Sequence, residues 1–169
     1  MEYELIRSDR RSVSLEIKDM RVVVRAPRRM DVRLIDKFVS DHAGWIDDHM
    51  ERQERRRENH PEPEDEARRR YIQAAKEYLP QRVAFFSDLM GLYPAGITIT
   101  GAKTRFGSCS SRGRLSFSWR LMQYPQDAID YVVVHELAHL RHMNHGREFY
   151  SLIEKYLPDY KARRKLLKE

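Results

Sequence analysis

The chain has 169 residues, 34% of them charged, and a formal net charge of +6 at pH 7. This length allows one domain with a hydrophobic core, or one domain with an appendage. The single cysteine, Cys109, excludes an internal disulfide and is typical of a reducing compartment. The N-terminus lacks the apolar segment of a signal peptide, and no apolar run is long enough to cross a membrane. We therefore expect a cytoplasmic protein without a membrane partner.

Residues 1–50 have the pattern of a strand-strand-helix lobe. Apolar and polar residues alternate between 3 and 26, which predicts antiparallel strands, and residues 18–21 resemble a turn. Asp31 is placed to cap a helix. That helix would carry apolar side chains at helical spacing, namely Leu34, Ile35, Phe38, Trp45 and Ile46. The pattern indicates a structural role for this lobe.

Residues 51–66 are almost wholly polar, mix both charge signs and include Pro61 and Pro63. This composition predicts a linker or a polar extension of the preceding helix. The interleaved acidic residues argue against an arm that binds nucleic acid. We expect the second domain to cover the rest of the chain, residues 67–169.

The second domain begins with a helical pattern from 71 to near Gly91, in which Pro80 predicts a kink or a division into two helices. A short strand at 97–100, a polar loop at 103–113 and an alternating strand at 115–119 follow. A central helix starts near Pro125, and another runs from Gly146 to about Tyr156. This order predicts an α+β fold in which a short antiparallel sheet packs on the central helix.

The central helix carries the sequence His135-Glu136-Leu-Ala-His139. Residues four apart lie one turn above each other on a helix, so the two histidines share a face and can bind one Zn²⁺. Glu136 then lies beside the metal, where it can take a proton from metal-bound water. Three valines precede the motif, which predicts a buried helix. Buried polar side chains are costly unless they have partners, so their presence favours a metal site.

A catalytic zinc site needs a third protein ligand and an open position. His145 follows His139 by six residues, which would place it off the shared face if the helix continued. The helix must therefore end first. Asn144 and Gly146 are suited to a left-handed turn that would return His145 to the metal.

Other side chains near the motif are alternatives for these roles. Glu148 and Glu154 are rival third ligands from the following helix. His142 is expected to face solvent or to donate a hydrogen bond to a ligand. Cys109 is a candidate fourth ligand or latency switch, and packing within its loop is the favoured interpretation.

The sequence resembles the YgjP-like zinc metallopeptidase family, which is related to minimal gluzincin, WLM and SprT-like domains. The resemblance covers nearly the whole chain, and its most specific segments are residues 105–110, 118–121, 131–140, 144–146 and 149–150. It implies a zincin-like domain in which His135, His139 and His145 are the zinc ligands and Glu136 is the general base. The chain departs from the family pattern at positions outside this set, namely Phe106, Ser118, Gly146 and Tyr150.

The leading functional hypothesis is a zinc metallopeptidase that acts on a peptide or protein. Zinc-bound water, activated by Glu136, would attack the peptide bond. The strand at 115–119, if it lies at the sheet edge, would pair with an extended substrate. Four side chains are candidates for stabilising the oxyanion, namely Arg141, His142, Arg147 and Tyr150.

Three other functions fit part of the pattern. A metal-dependent nucleoside triphosphate (UTP-type) pyrophosphatase could bind phosphates at the loop 105–111, but three histidines suit zinc better than Mg²⁺. A DNA-associated protease would use the basic tail at 161–168, which fits an amphipathic closing helix equally well. A non-enzymatic zinc-binding module would need four protein ligands and would have no need of Glu136.

Overall fold

The computed structural model describes residues 2–168, which divide into two compact units, one ending at Pro61 and the other beginning at Glu62. The first unit contains the strands β1 (Glu4–Ser8), β2 (Ser14–Lys18) and β3 (Arg21–Pro27) and the helices α1 (Val32–Asp41) and α2 (Ala43–Asn59). The second unit contains α3 (Asp65–Met90), β4 (Gly96–Thr100), β5 (Gly107–Cys109), β6 (Arg114–Ser118), a 3-10 helix (Trp119–Gln123), α4 (Gln126–Ala138), α5 (Arg147–Tyr156) and α6 (Tyr160–Leu166). The α+β class is therefore confirmed.

The sheet of the first unit has the strand order β1-β3-β2. A tight turn joins β2 to β3, and its residues Asp19 and Met20 have positive φ angles of 48° and 63°. The prediction that all these strands pair antiparallel is wrong, because β1 runs parallel to β3. Successive strands do reverse direction, but β1 pairs with the third strand and not with the second.

The N-terminal helical region confirms the predicted cap, since the Asp31 carboxylate accepts a hydrogen bond from the Arg33 N–H. It forms two helices, because the chain leaves helical geometry at His42. The predicted apolar set is only partly buried, and Leu34 and Trp45 remain 55% and 39% exposed. The helical side chains that enter the core of this unit are Ile35, Val39 and Ile46.

The sheet of the second unit has the order β4-β6-β5, with β4 parallel and β5 antiparallel to β6. It is mixed, so the predicted antiparallel sheet is corrected. Part of the segment expected to be a loop is the short strand β5. Because β6 is the central strand, the condition for its pairing with a substrate, a position at the sheet edge, is not met. Within the described part of the chain, the edge strands of this sheet are β4 and β5.

Helix α3 is continuous, with Pro80 in its interior, so the predicted alternative of two helices is wrong. It ends where predicted, at Gly91, whose φ of 67° is left-handed. Helix α4 begins directly after Pro125 and is buried along nearly its whole length. The fully buried side chains around it come from α3, β6, α4 and α5 and include Leu79, Leu115, Phe117, Val133, Val134, Leu137, Phe149 and Ile153.

Burial of each such side chain contributes about 1.5–3 kcal/mol, which outweighs the modest helix propensity of the valines. A buried ion pair also fixes the position of α4. The carboxylate of Asp130 accepts hydrogen bonds from Arg82 of α3 at 2.8 Å and 2.9 Å. Arg163 of α6 lies 2.9 Å from Asp127 at the start of the same helix.

None of the helices within residues 2–168 is long and apolar enough to span a membrane.

Candidate metal centre

Three histidines converge at the C-terminal end of α4. His135 lies in the last turn of α4 and His139 directly follows it, with their ring centroids 5.0 Å apart. His145 stands just before α5 and turns its ring back toward α4. Its Nε2 atom lies 3.2 Å from Nε2 of His135. One ring nitrogen from each of the three residues lies within 4.8 Å of the others.

The chain returns to α4 without the left-handed turn that the sequence predicts at Asn144 and Gly146. The left-handed residues of the described chain lie elsewhere, and Gly146 itself is extended with φ −84° and ψ −173°. Instead, helix α4 ends through main-chain hydrogen bonds to one of its last residues. The N–H groups of Arg141 and His142 both bond to the carbonyl of Ala138, at 3.1 Å and 2.9 Å. As the spacing requires, the helix ends before His145.

This donor set fits zinc. Tetrahedral zinc with Zn–N bonds of about 2.0–2.1 Å places its ligand nitrogens about 3.4 Å apart, close to the separation of the His135 and His145 nitrogens. Imidazole must be neutral to bind a metal. Burial, together with the nearby His139, lowers the pKa of His135 to about 3, and burial also lowers the pKa of His139. Both shifts favour the neutral form of these half-buried rings, which is the form that binds a metal.

The loop between the helices holds His139 through its main chain. The Nδ1 atom of His139 lies 3.0 Å from the carbonyl oxygen of His142, so the ring can donate there and leave Nε2 free for a metal. His142 makes this contact through its main-chain carbonyl, so the contact does not test the prediction for its side chain. Its ring lies 3.7 Å from the carboxylate of Glu148. Within residues 2–168, the cluster of possible metal ligands contains neither Glu148 nor Glu154.

The ring of one phenylalanine packs against all three histidines. Phe149 is fully buried in the first turn of α5. Its ring centroid lies 4.9 Å, 4.6 Å and 4.9 Å from those of His135, His139 and His145. The three imidazole rings therefore pack against one apolar side chain, which limits their rotation.

Glu136 belongs to α4, and its side chain lies against the strand β5. It is 6% exposed, and burial raises its pKa to about 7, an effect that the charge of Arg105 partly offsets. The backbone of Gly107 closely approaches this carboxylate. A Cβ atom at Gly107 would stand 2.7 Å from both Cγ and Oε1 of Glu136. The segment around Arg105 and Gly107 therefore borders the motif glutamate.

Cys109 lies on the same short strand but outside the histidine cluster. Burial raises the pKa of its thiol, and the negative charge of Glu136 raises it further. A thiol with a raised pKa is a weaker metal ligand than an activated one. This environment favours the packing interpretation of Cys109.

The four candidates for oxyanion stabilisation lie in the loop after His139 and in the first turn of α5. The ring of Tyr150 lies 6.4 Å from that of His145. The other three candidates line an open cavity of about 420 Å³ that shares Phe149 with the histidine cluster, and its lining includes Arg141, His142, Met143, Asn144, Arg147 and Glu148. The cavity borders Phe149, which contacts the three histidines, but its lining contains none of them.

Two histidines one turn apart, a buried glutamate beside the first and a third histidine from the following loop are the arrangement of an HExxH-type metallohydrolase. The sequence model of the YgjP-like family, described as a metallopeptidase domain, matches residues 11–70 and 57–169. The chain belongs to this family, which confirms the resemblance noted from the motifs. A search of curated protein sequences gave no match.

The structure is also similar to two solved metallopeptidase zymogens. Abylysin of Pyrococcus abyssi is 20% identical with a TM-score of 0.47, and the similarity covers 52% of this chain and 89% of abylysin. Jannalysin of Methanocaldococcus jannaschii is 18% identical with a TM-score of 0.45, and the similarity covers 52% of this chain and 93% of jannalysin.

The sequence did not reveal several residues that shape the site. Tyr131 places its hydroxyl oxygen 3.4 Å from Nδ1 of His135, and its position one turn earlier on α4 was an available signal. Gly107 could have been suspected because glycine in a strand often marks a close backbone approach. The carbonyl of His142 could not have been found, because any residue type supplies one.

Proposed function

We propose that this chain is a zinc-dependent metallopeptidase in which His135, His139 and His145 hold the metal and Glu136 is the general base. The convergence of three histidine nitrogens within 4.8 Å supports this most directly. Three protein ligands leave one position for water or substrate, as in catalytic zinc sites. A closed structural site would require a fourth protein ligand, and Cys109 lies outside the cluster.

When bound, zinc would supply a Lewis acid that polarises a carbonyl group and lowers the pKa of water. In this proposal the carboxylate of Glu136, the residue that follows His135, would accept the proton that the attacking water loses. A base is most effective when its pKa lies near the working pH, and burial brings the pKa of Glu136 to about 7. The protonated carboxyl group can then return the proton to the departing amine.

The free edge of β5 supports an extended peptide as the substrate. Among the strands within residues 2–168, β5 pairs with β6 alone, and its first residue, Gly107, borders Glu136. A peptide added at this edge would form main-chain hydrogen bonds and would bring its backbone close to the general base. The pairing role proposed for residues 115–119 therefore passes to β5.

Two alternative functions have less support. A nucleotide pyrophosphatase would use magnesium, which prefers carboxylate oxygens, whereas the cluster consists of imidazoles. A DNA-associated protease would need a free basic tail. Much of that tail instead forms α6, and Leu167 packs against the core of the second unit. The first observation favours zinc chemistry over magnesium chemistry, and the second gives the tail a structural role.

The test compares the wild type with Glu136→Gln for zinc content and for cleavage of a mixed library of quenched fluorescent peptides. We expect about one zinc per chain in both proteins and a loss of cleavage in the variant of about 10²–10⁴-fold, the usual contribution of a general base. Glu154→Gln is the matched control, because Glu154 is exposed on α5 and lies outside the cluster. Failure of the wild type to bind zinc, or hydrolysis of nucleotides without any cleavage of peptides, would contradict the proposal.

A further inference from the structure

Tyr131 and His145 face opposite nitrogens of the His135 ring. The Tyr131 hydroxyl oxygen lies 3.4 Å from Nδ1 of His135, while Nε2 of His135 faces Nε2 of His145 at 3.2 Å. Tyr131 belongs to the same helix, four residues before His135, and is only 4% exposed. A buried phenol usually finds a hydrogen-bond partner, and His135 provides one here.

The identity of the metal-binding nitrogen depends on where the ring proton resides. A neutral imidazole has one N–H donor and one nitrogen with a free lone pair. For Nε2 of His135 to bind a metal beside His145, the proton must be on Nδ1. That N–H then points at Tyr131, whose oxygen is the acceptor. His139 is arranged alike, with its Nδ1 atom at the carbonyl of His142.

The ring of Tyr131 packs against an aromatic neighbour on α6, which in turn packs against a tyrosine of α5. The ring of Tyr160 in α6 stacks on Tyr131, with centroids 6.5 Å apart and planes 14° from parallel. Tyr160 also stacks on Tyr150 of α5 at 5.9 Å. The three helices of the site therefore fix the ring from outside the histidine cluster, which restricts where its hydroxyl can point.

We propose that Tyr131 is a positioning residue whose phenol oxygen accepts a hydrogen bond from Nδ1–H of His135 and thereby holds His135 in the tautomer that presents Nε2 to the metal. The inference rests on the metal site proposed above and adds a residue that determines its affinity. Loss of such an outer hydrogen-bond partner typically weakens metal binding by about 10–100-fold.

The test is Tyr131→Phe, which removes the hydroxyl but keeps the ring and its stacking. Zinc affinity is measured by competition with a chromogenic chelator, and we expect a weakening of about 10–100-fold. The matched control is Tyr160→Phe, which removes a hydroxyl from the same stack without touching a histidine, and its zinc affinity should equal that of the wild type. The melting temperatures of the metal-free proteins should all agree.

A second measurement examines the tautomer without any metal. The nitrogen chemical shifts of His135 in metal-free protein should show the proton on Nδ1 in the wild type and a shift of population toward Nε2–H in Tyr131→Phe. Unchanged zinc affinity and an unchanged tautomer in Tyr131→Phe would overturn the inference, as would an equal loss of affinity in Tyr160→Phe. If the wild type bound no zinc, the proposed function would fail, while a shift of the tautomer would still support the contact with Tyr131.

Discussion

Gly107 and Glu136 approach so closely that no other residue fits at position 107 without displacing the carboxylate. A Cβ atom there would meet both Cγ and Oε1 of Glu136 at 2.7 Å. The glycine lies on the edge strand β5 and the glutamate on α4, so this contact sets the distance between the sheet and the proposed general base. The requirement is steric, because Gly107 has no positive φ.

We expect Gly107→Ala to retain zinc and to lose peptidase activity. The added methyl group forces the carboxylate away from its position, and a misplacement of about 1 Å can cost about 100-fold in rate. The measurement is kcat/KM on a cleaved peptide, together with zinc content. Gly101→Ala is the control, since its methyl group would meet only Trp119 at an ordinary 3.4 Å. Equal activity of both variants would show that the approach of Gly107 to Glu136 is unimportant.

His145→Ala should lose most of its zinc. This substitution removes a proposed ligand, so the loss of affinity should exceed the 10–100-fold that removal of an outer hydrogen-bond partner costs. His142→Ala should keep its zinc, because the contact to His139 is made by the main-chain carbonyl, which alanine preserves. Elemental analysis after dialysis against chelator-free buffer measures both. Full zinc occupancy in His145→Ala would redirect attention to Glu148 or Glu154.

The buried Glu136 should make the stability of the metal-free protein depend on pH. Its pKa in the folded state is raised from 4.5 to about 7, mainly by burial, so the folded state binds the proton more tightly than the unfolded state. Its contribution to stability is therefore complete below about pH 4.5 and is lost as the pH rises through about 7.

Between about pH 5 and about pH 8, the wild type should lose about 2–3 kcal/mol of unfolding free energy relative to Glu136→Gln. Urea denaturation of both chelator-treated proteins at the two pH values gives this difference. A parallel pH dependence of the two proteins would show that the carboxyl group titrates normally in the fold.

Asp130→Ala should destabilise the protein by about 3–5 kcal/mol, because it leaves Arg82 without its partner in a largely buried ion pair. Asp127→Ala is the comparison, since that carboxylate also pairs with an arginine but its side chain is 61% exposed. We expect it to cost less than about 1 kcal/mol. Thermal or denaturant unfolding distinguishes the two, and equal effects would mean that burial of the pair contributes nothing.

The sequence predicted features that depend on local spacing. The shared helix face of His135 and His139, the Asp31 cap and the helix end at Gly91 follow from rules that span a few residues. Such local rules do not predict that β1 pairs with β3 or that β5 exists, because strand pairing depends on contacts between distant residues. A three-residue strand is also too short to show a pattern.

Around the site, too, the sequence predicted features that depend on local spacing and missed those that depend on contacts between distant residues. The return of His145 toward α4 was predicted, but the predicted left-handed turn was wrong because main-chain hydrogen bonds to Ala138 end the helix without one. The approach of Gly107 to Glu136 joins segments 29 residues apart and could not be read from either segment alone.

All three histidines of the candidate centre lie within a stretch of eleven residues, 135–145. The entropy lost when a chain segment closes on itself grows with the length of the loop, and the loop between His139 and His145 is very short. The ligands can therefore come together as soon as the end of α4 forms, before distant strands have paired. Zinc taken up at that stage would act as an early cross-link that makes the helix-loop-helix segment a folding nucleus for the second unit.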